Sequence, residues 1–410
     1  MIIPLLVFLV CVCFVDQNGA GDQPSVIFRP IRIVDNSSLP SESASVQAFD
    51  ISPDGSLLAL LFQPSSPRDT WFRAVIEDVA TGNTRVNIVL SPAGNRPDFQ
   101  NFPWYEPHVV FSPDQRFLTI QDWQSVQVLD IAESRIVRRF TSTNEQMSFP
   151  LSIHSTSSNS LVLVSYGTKA PFIWSNKGFN DLVNPQRVHN ELVDISTGQR
   201  RSSWESADIP QSLSANGELA AVSDWEGSTA QVEIQIVDAQ TGQKLKTLNS
   251  GFKFRKPWAP GAAGRIVGKF LGDEEILLSP DEHTDSEGHH SGESLKIMRV
   301  SDGQLVREIK FKDFGPLGEM VVSADAQSFA IVNWHISPGA AKRDAAPPGS
   351  PSLIVFPNRT NDKSYAIFQL QSRSGLRTIQ WRDTWLPRIA NNAAVVAVVQ
   401  GAGVAVFQKN

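Results

Sequence analysis

Cysteine is nearly absent from this chain. Of 410 residues only Cys11 and Cys13 are cysteines, and both lie within the first 15. The rest of the chain has no thiol, which excludes disulfides, thiolate metal ligands, a cysteine nucleophile and covalent haem attachment there. Its stability must come from an apolar core, and a hydrophobic content of 41% is enough to build one. Basic charge is also short: 36 Lys and Arg against 42 Asp and Glu give a formal net charge of -6, with no long block of one sign. That balance argues against a nucleic-acid partner. No Gly-x-Ser-x-Gly elbow, His-Glu-x-x-His pair, phosphate loop or dinucleotide glycine pattern occurs.

Residues 1–15 are almost wholly apolar, and no Lys or Arg precedes Arg29. The run is too short to span a bilayer and fits the apolar region of a secretory signal. Asn18-Gly19-Ala20 offers small residues for cleavage. Val10 and Val12 stand before the two cysteines where a lipoprotein signal needs a small residue. The expectation is a signal peptide over 1–20 and a secreted or periplasmic domain over 21–410. No transmembrane segment is expected after cleavage; a retained N-terminal anchor is the alternative.

A short phrase recurs along the rest of the chain. It reads Ser52-Pro53-Asp54-Gly55 and then Asp78-Val79-Ala80-Thr81-Gly82. It returns as Ser112-Pro113-Asp114-Gln115 with Asp130, and as Ser214-Ala215-Asn216-Gly217 with Asp238-Ala239-Gln240-Thr241-Gly242. Asp and Asn close turns through their own side chains, and Gly supplies positive φ. Between the turns lie runs rich in Val, Ile, Leu and Phe with partial alternation, as in Val232–Val237. Each unit therefore reads as four short strands. The units fall at about 46–90, 108–141, 150–205, 210–249, 265–312 and 319–370.

The tail, 376–408, supplies only three strands, expected at 378–381, 394–399 and 404–407. A spare strand, Val26–Val34, waits at the other end. If it completes the last sheet, seven units close into a ring with no open edge. Counts of six or eight are the alternatives. With these turn motifs the chain resembles the bacterial β-propellers built from WD-like or YVTN-type repeats, over essentially its whole mature length. The resemblance implies an all-β, seven-bladed propeller of four-stranded antiparallel blades. Some propellers of this kind are lactonases, lyases or quinone-dependent dehydrogenases with chemistry in the central channel.

The connections are of two kinds. In most units two turns are tight, whereas 63–73, 91–107, 166–188, 249–264, 279–294 and 334–352 are long. Connections after the second and fourth strands of a blade share one face, and elaboration of one face marks a binding side. Trp71, Trp104, Tyr105, Phe172, Trp174 and Trp258 fall in these stretches. Three second strands end alike, in Asp122-Trp123, Asp224-Trp225 and Asn333-Trp334, each polar residue ten positions after the turn serine. Asp281 takes that place in the fifth unit. Two readings are open: each Trp caps its own blade, or Trp123, Trp225, Trp334, Trp104 and Trp258 with Asp122, Asp224 and Asn333 form a rim that holds a partner.

Asp281, His283 and His289 have the residue types of a metal site, although a solvated loop accounts for the same segment. The basic and aromatic run Gly251–Trp258 is read in the same two ways, as a phosphate or base contact or as plain surface. Asn36-Ser37-Ser38 and Asn358-Arg359-Thr360 fit the glycosylation pattern. Three functions are carried forward. The first is an exported, non-enzymatic binding module or scaffold, without cofactor, for a protein, peptide or glycan. The others are an enzyme working at the channel, and a structural subunit of an envelope complex.

Overall fold

The computed structural model describes residues 28–34, 44–64, 72–90, 107–122, 124–167, 187–207, 209–224, 233–252, 265–281, 294–310, 317–333, 352–360, 365–369, 387–400 and 403–410. Their strands form seven separate four-stranded antiparallel sheets. Six sheets take four strands in chain order: blade 1 (44–90), blade 2 (108–140), blade 3 (149–206), blade 4 (210–249), blade 5 (265–310) and blade 6 (317–369). Blade 7 takes Arg388–Ile389, Val395–Gln400 and Gly403–Lys409, and its outermost strand is Phe28–Val34, paired with Gly403–Lys409. The first strands of consecutive blades touch all the way round, and that of blade 7 touches those of blades 6 and 1. The ring is closed, so the fold is the seven-bladed propeller that the repeats predict.

One strand lies elsewhere than expected. The innermost strand of blade 7 is Arg388–Ile389, not 378–381, and the latter stretch lies outside the described residues. Its turn, through Asn391–Ala393 with Asn392 at φ 54°, lacks the Ser-x-Asp or Ser-x-Asn phrase that marks the first turns of blades 1, 2, 4 and 6.

The core sits between blades. Ala59, Leu61, Phe72, Ala74 and Ile76 of blade 1 pack on Val109, Phe111, Leu118, Ile120 and Leu129 of blade 2. Similar clusters join blades 2 and 3, 3 and 4, 4 and 5, and 5 and 6, and one larger cluster runs through blades 6, 7 and 1. Each sheet thus buries both faces, which is why its inner strands read as continuous apolar runs. All five residues of Phe117–Gln121 are buried, whereas the outermost strand of blade 1, Thr84–Leu90, alternates with exposed positions.

The recurring phrase has a hydrogen-bond basis. Ser52 Oγ donates to Asp54 Oδ1 (2.7 Å) and accepts from Leu57 N (2.9 Å), while Asp54 Oδ1 also accepts from Ser56 N. The same arrangement recurs at Ser112 and Asp114, Ser214 and Asn216, and Ser323 and Asp325. The second phrase works through its Asp. Asp78 Oδ1 accepts from Thr81 N and Thr81 Oγ1, and Asp238 holds Thr241 identically.

A second device locks neighbouring blades together at the rim. The outermost strand of one blade sends a side chain onto the second turn of the next. Arg32 of blade 7 reaches the Asp78 and Gly82 carbonyls and pairs with Glu77 of blade 1. Trp204 Nε1 of blade 3 donates to Ala239 O of blade 4 (2.9 Å). Lys246 of blade 4 donates to Ser301 O, and Arg307 of blade 5 to Arg359 O. The turn glycine provides the room. A Cβ on Gly198 would lie 2.8 Å from Arg138 Nε of blade 2, and one on Gly242 would lie 2.8 Å from three Trp204 atoms.

Candidate functional site

Turn length divides the two faces of the ring. First-to-second and third-to-fourth strand connections form one face, and apart from 357–365 they are six residues or fewer and closed by backbone hydrogen bonds. Adjacent first turns even bond to each other: Asn216 N donates to Asp273 Oδ1, Ser158 N to Ala215 O, and Asn391 N to Pro53 O. The opposite face carries the long stretches 91–107, 168–187, 250–264, 282–293, 334–351 and 370–387 between consecutive strands.

In sequence, most of the nominated residues fall in or beside the connections between those strand ends. Trp104, Trp123, Trp225, Trp258, Trp334, His283 and His289 lie outside the described residues. For Asp224, Asn333 and Asp281 the backbone is described: each is the last residue of the second strand of its blade, opposite Glu233, Ser352 and Arg265 respectively. Asp122 follows the second strand of blade 2 and is 1% exposed. Its carboxylate accepts from Gln124 N (2.9 Å), Ser125 N (2.7 Å), Ser125 Oγ (2.9 Å) and Gln127 Nε2, so all of its visible bonding closes its own turn. No three His, Cys, Asp or Glu side chains come close enough to hold a metal ion among the described residues.

Two polar clusters were not visible in the sequence. The first lies in the seam of blades 2 and 3. Glu191, fully buried, accepts from Thr143 N and Thr143 Oγ1 (both 2.6 Å) and from Arg200 Nε (2.9 Å), and His189 Nε2 stands 3.3 Å away. Tyr166 lies opposite His189 in register. Burial and the Glu191 charge hold its phenol proton on well above the ordinary pKa. This network ties the connection after blade 2 to blade 3. Its one sequence signal is Val188–Asp194, a strand with His, Asn, Glu and Asp that is buried throughout.

The second cluster lies on the innermost strands. Asp50 of blade 1, His108 of blade 2, His154 of blade 3, Lys269 of blade 5 and Arg388 of blade 7 each come from a different blade. Arg388 Nε is 3.3 Å from Asp50 Oδ1, and Asp50 Oδ2 accepts from Phe111 N (2.8 Å). Lys269 Nζ donates to Gln211 O (2.7 Å). His154 Nε2 lies 2.7 Å from Pro210 O, and because a carbonyl only accepts, that nitrogen carries the proton. In a ring of seven, blades 2 and 5 stand opposite each other. The contacts these residues make join neighbouring blades: 7 to 1 and 1 to 2 through Asp50, 3 to 4 through His154, and 5 to 4 through Lys269.

The environment sets their charges. Burial, then Arg388 and Lys269, press His108 down to about 3. Burial, then Lys269, bring His154 to about 3, against the opposing pull of its bond to Pro210. Burial pushes Asp50 up to about 6, although Arg388 and the Phe111 amide favour its ionised form. At neutral pH both imidazoles are neutral, and His154 keeps a lone pair on Nδ1.

No protein-family model matches the chain, and no curated protein matches it by sequence. Similarity appears in solved structures. A chain of the mitotic checkpoint complex superposes with a TM-score of 0.51 at 10% identity, covering 98% of this chain and 99% of that one. A chain of the Kuenenia stuttgartiensis hydrazine synthase gives 0.52 at 12% identity, covering 92% and 98%. At these identities the likeness shows the propeller fold alone, a fold that serves unrelated functions.

Proposed function

We propose that this protein is an exported propeller of the WD-like or YVTN type that works as a binding module or scaffold. It presents its long-connection face to a protein, peptide or glycan. One observation carries the reading: the ring is asymmetric, with all its connections of twelve residues or more between consecutive strands on one face. A symmetric load-bearing disc has no need of such a division, whereas a binding face does. Trp123, Trp225 and Trp334 directly follow, in sequence, Asp122, Asp224 and Asn333 at the ends of second strands, and we take them as the anchors because aromatic side chains bury large areas at little entropic cost.

The test is a triple variant, Trp123→Ala, Trp225→Ala and Trp334→Ala, compared with the parent on peptide and glycan arrays. Binding that disappears while the urea midpoint stays put supports the reading. Equal binding by the two proteins would sink it. Export is tested separately by N-terminal sequencing of the mature protein, with a start near residue 21 expected. No helix of the described residues is long and apolar enough to cross a membrane.

A second reading, small-molecule chemistry at the channel, draws on the titratable groups that five innermost strands carry, Asp50, His108, His154, Lys269 and Arg388. It requires an acid or base near the axis, and His154 Nδ1 and Asp50 are the groups available.

A further inference from the structure

We propose that Asn358 is an N-glycosylation site, the acceptor of an oligosaccharide transferred from a lipid-linked pyrophosphate donor. The proposal rests on the exported reading for its setting, because acceptors of this kind belong to chains that cross a membrane.

Asn358 lies in the third-to-fourth strand connection of blade 6, residues 357–365, on the face of the short turns. The backbone shows which residue it replaces. Val79 N, Ala239 N and Arg359 N donate to Ser56 O, Glu218 O and Gln327 O, each the fourth residue after the serine of its first turn. Asn358 therefore takes the place of Asp78 and Asp238, which close the second turns of blades 1 and 4. Those carboxylates hold a threonine three residues on. Asn358 Oδ1 holds one two residues on, accepting from Thr360 N (2.9 Å) and Thr360 Oγ1 (2.7 Å). An acid does this work in the other blades, so turn closure alone does not account for the amide. What the amide adds is Nδ2. Asn358 is exposed, and among the described residues its Nδ2 bonds nothing.

The chemistry needs that nitrogen free and the oxygen held. An amide nitrogen is a weak nucleophile, because its lone pair is shared with the carbonyl. Two donors on Oδ1 stabilise the negative charge that moves onto this oxygen as Nδ2 gives up a proton. In the transfer Nδ2 bonds to C1 of the sugar. The C1–O bond to the pyrophosphate breaks, the pyrophosphate leaves with that electron pair, and one Nδ2 proton passes to a base of the transferase. The bonds that arrange the acceptor span two residues, so they do not need the closed ring. In the closed ring the backbone beside it is tied down. Arg359 N donates to Gln327 O (2.7 Å), Arg307 donates to Arg359 O, and Arg359 Nη1 lies 3.1 Å from Glu275 Oε2. The Asn358 side chain stands outside these ties. A glycan there occupies the face of the short turns and leaves the long-connection face clear for a partner.

The experiment expresses the full chain in secreting animal cells, once with its own N-terminus and once behind a signal sequence those cells are known to use. Protein is recovered from the medium and from the membrane-enclosed compartments. An amidase that removes N-linked glycans leaves Asp at each modified position, and peptide mass spectrometry against an untreated sample reads position 358 separately from Asn36. The expected result is Asp at 358 in most of the treated protein, with a mass shift of the intact chain that the amidase removes. Thr360→Ala should abolish modification at 358. Asn358→Asp should abolish it too while leaving the urea midpoint in place, because an acid closes the matching turns of blades 1 and 4. Protein inside the membrane-enclosed compartments or the medium with position 358 unmodified in nearly every chain would overturn the proposal. So would modification at 358 that survives Thr360→Ala. Modification only behind the foreign signal sequence would leave the site standing while removing the exported reading.

Discussion

Gly242 and Gly272 occupy the same left-handed backbone region, at φ +70° and +79°, but in different surroundings. A Cβ added to Gly272 would meet nothing within 4 Å, whereas one added to Gly242 would lie 2.8 Å from the Cβ, Cδ2 and Cε3 atoms of Trp204. Replacing either by Ala forces a side chain into the left-handed region, at about 1–2 kcal/mol. About 0.4–1 kcal/mol is returned because Ala restricts the unfolded chain. Gly272→Ala should therefore cost about 0.5–1.5 kcal/mol. Gly242→Ala adds overpacking against the root of a buried indole that is pinned by its bond to Ala239 O, about 1–3 kcal/mol more. Urea unfolding of both variants, at unchanged slope, measures the difference. Equal costs within about 0.5 kcal/mol would refute the idea that the turn glycine seats the neighbouring blade. In a Trp204→Ala background the extra cost of Gly242→Ala should shrink, because two of the three crowding atoms are gone.

Trp204→Phe keeps an aromatic ring in the seam but removes the donor to Ala239 O; a loss of about 1–2 kcal/mol in urea unfolding is expected. Glu191→Ala leaves Thr143 and Arg200 without their buried acceptor. A cost of about 3 kcal/mol is expected, near the low end for a buried pair because the Arg200 side chain is 40% exposed. Acid should begin to destabilise the protein near pH 6.5, above the carboxylate range. His108 and His154 titrate at 6.5 when unfolded and at about 3 when folded, so the unfolded chain takes up their protons first as the pH falls. Asp50 opposes this between pH 6 and 4, because folded it holds a proton that it would release unfolded, but one carboxyl is set against two imidazoles. Replacing both histidines by Gln should move the onset of acid loss down to the carboxylate range, as read from urea midpoints across pH.

The architecture was largely legible because its determinants are local. A Ser-x-Asp turn closes through bonds spanning two to five residues, and an Asp-x-x-Thr-Gly turn through bonds spanning two to four. Such contacts recur as a phrase that can be counted. Where the phrase was missing, as at Ala390–Ala394, the strand assignment slipped from 388–389 to 378–381. The rim contacts were not legible, because Arg32, Trp204, Lys246 and Arg307 reach turns 35 to 55 residues away. Nothing local distinguishes an arginine that faces solvent from one that grips the next blade. The axial cluster was missed for the same reason: Asp50 and Arg388 are neighbours only because the ring closes.

By itself, then, the sequence determined the blade and its turns, and pointed to seven blades with the two chain ends joined in the last. Each of these depends on the period of the repeat and on backbone preferences within a few residues. Tertiary structure alone decided which side chains meet. Closing seven similar sheets into a ring brings every innermost strand to one axis and every outermost strand to the turn of its neighbour. That geometry set Arg388 beside Asp50 from distant parts of the chain, and no local pattern announces the pair.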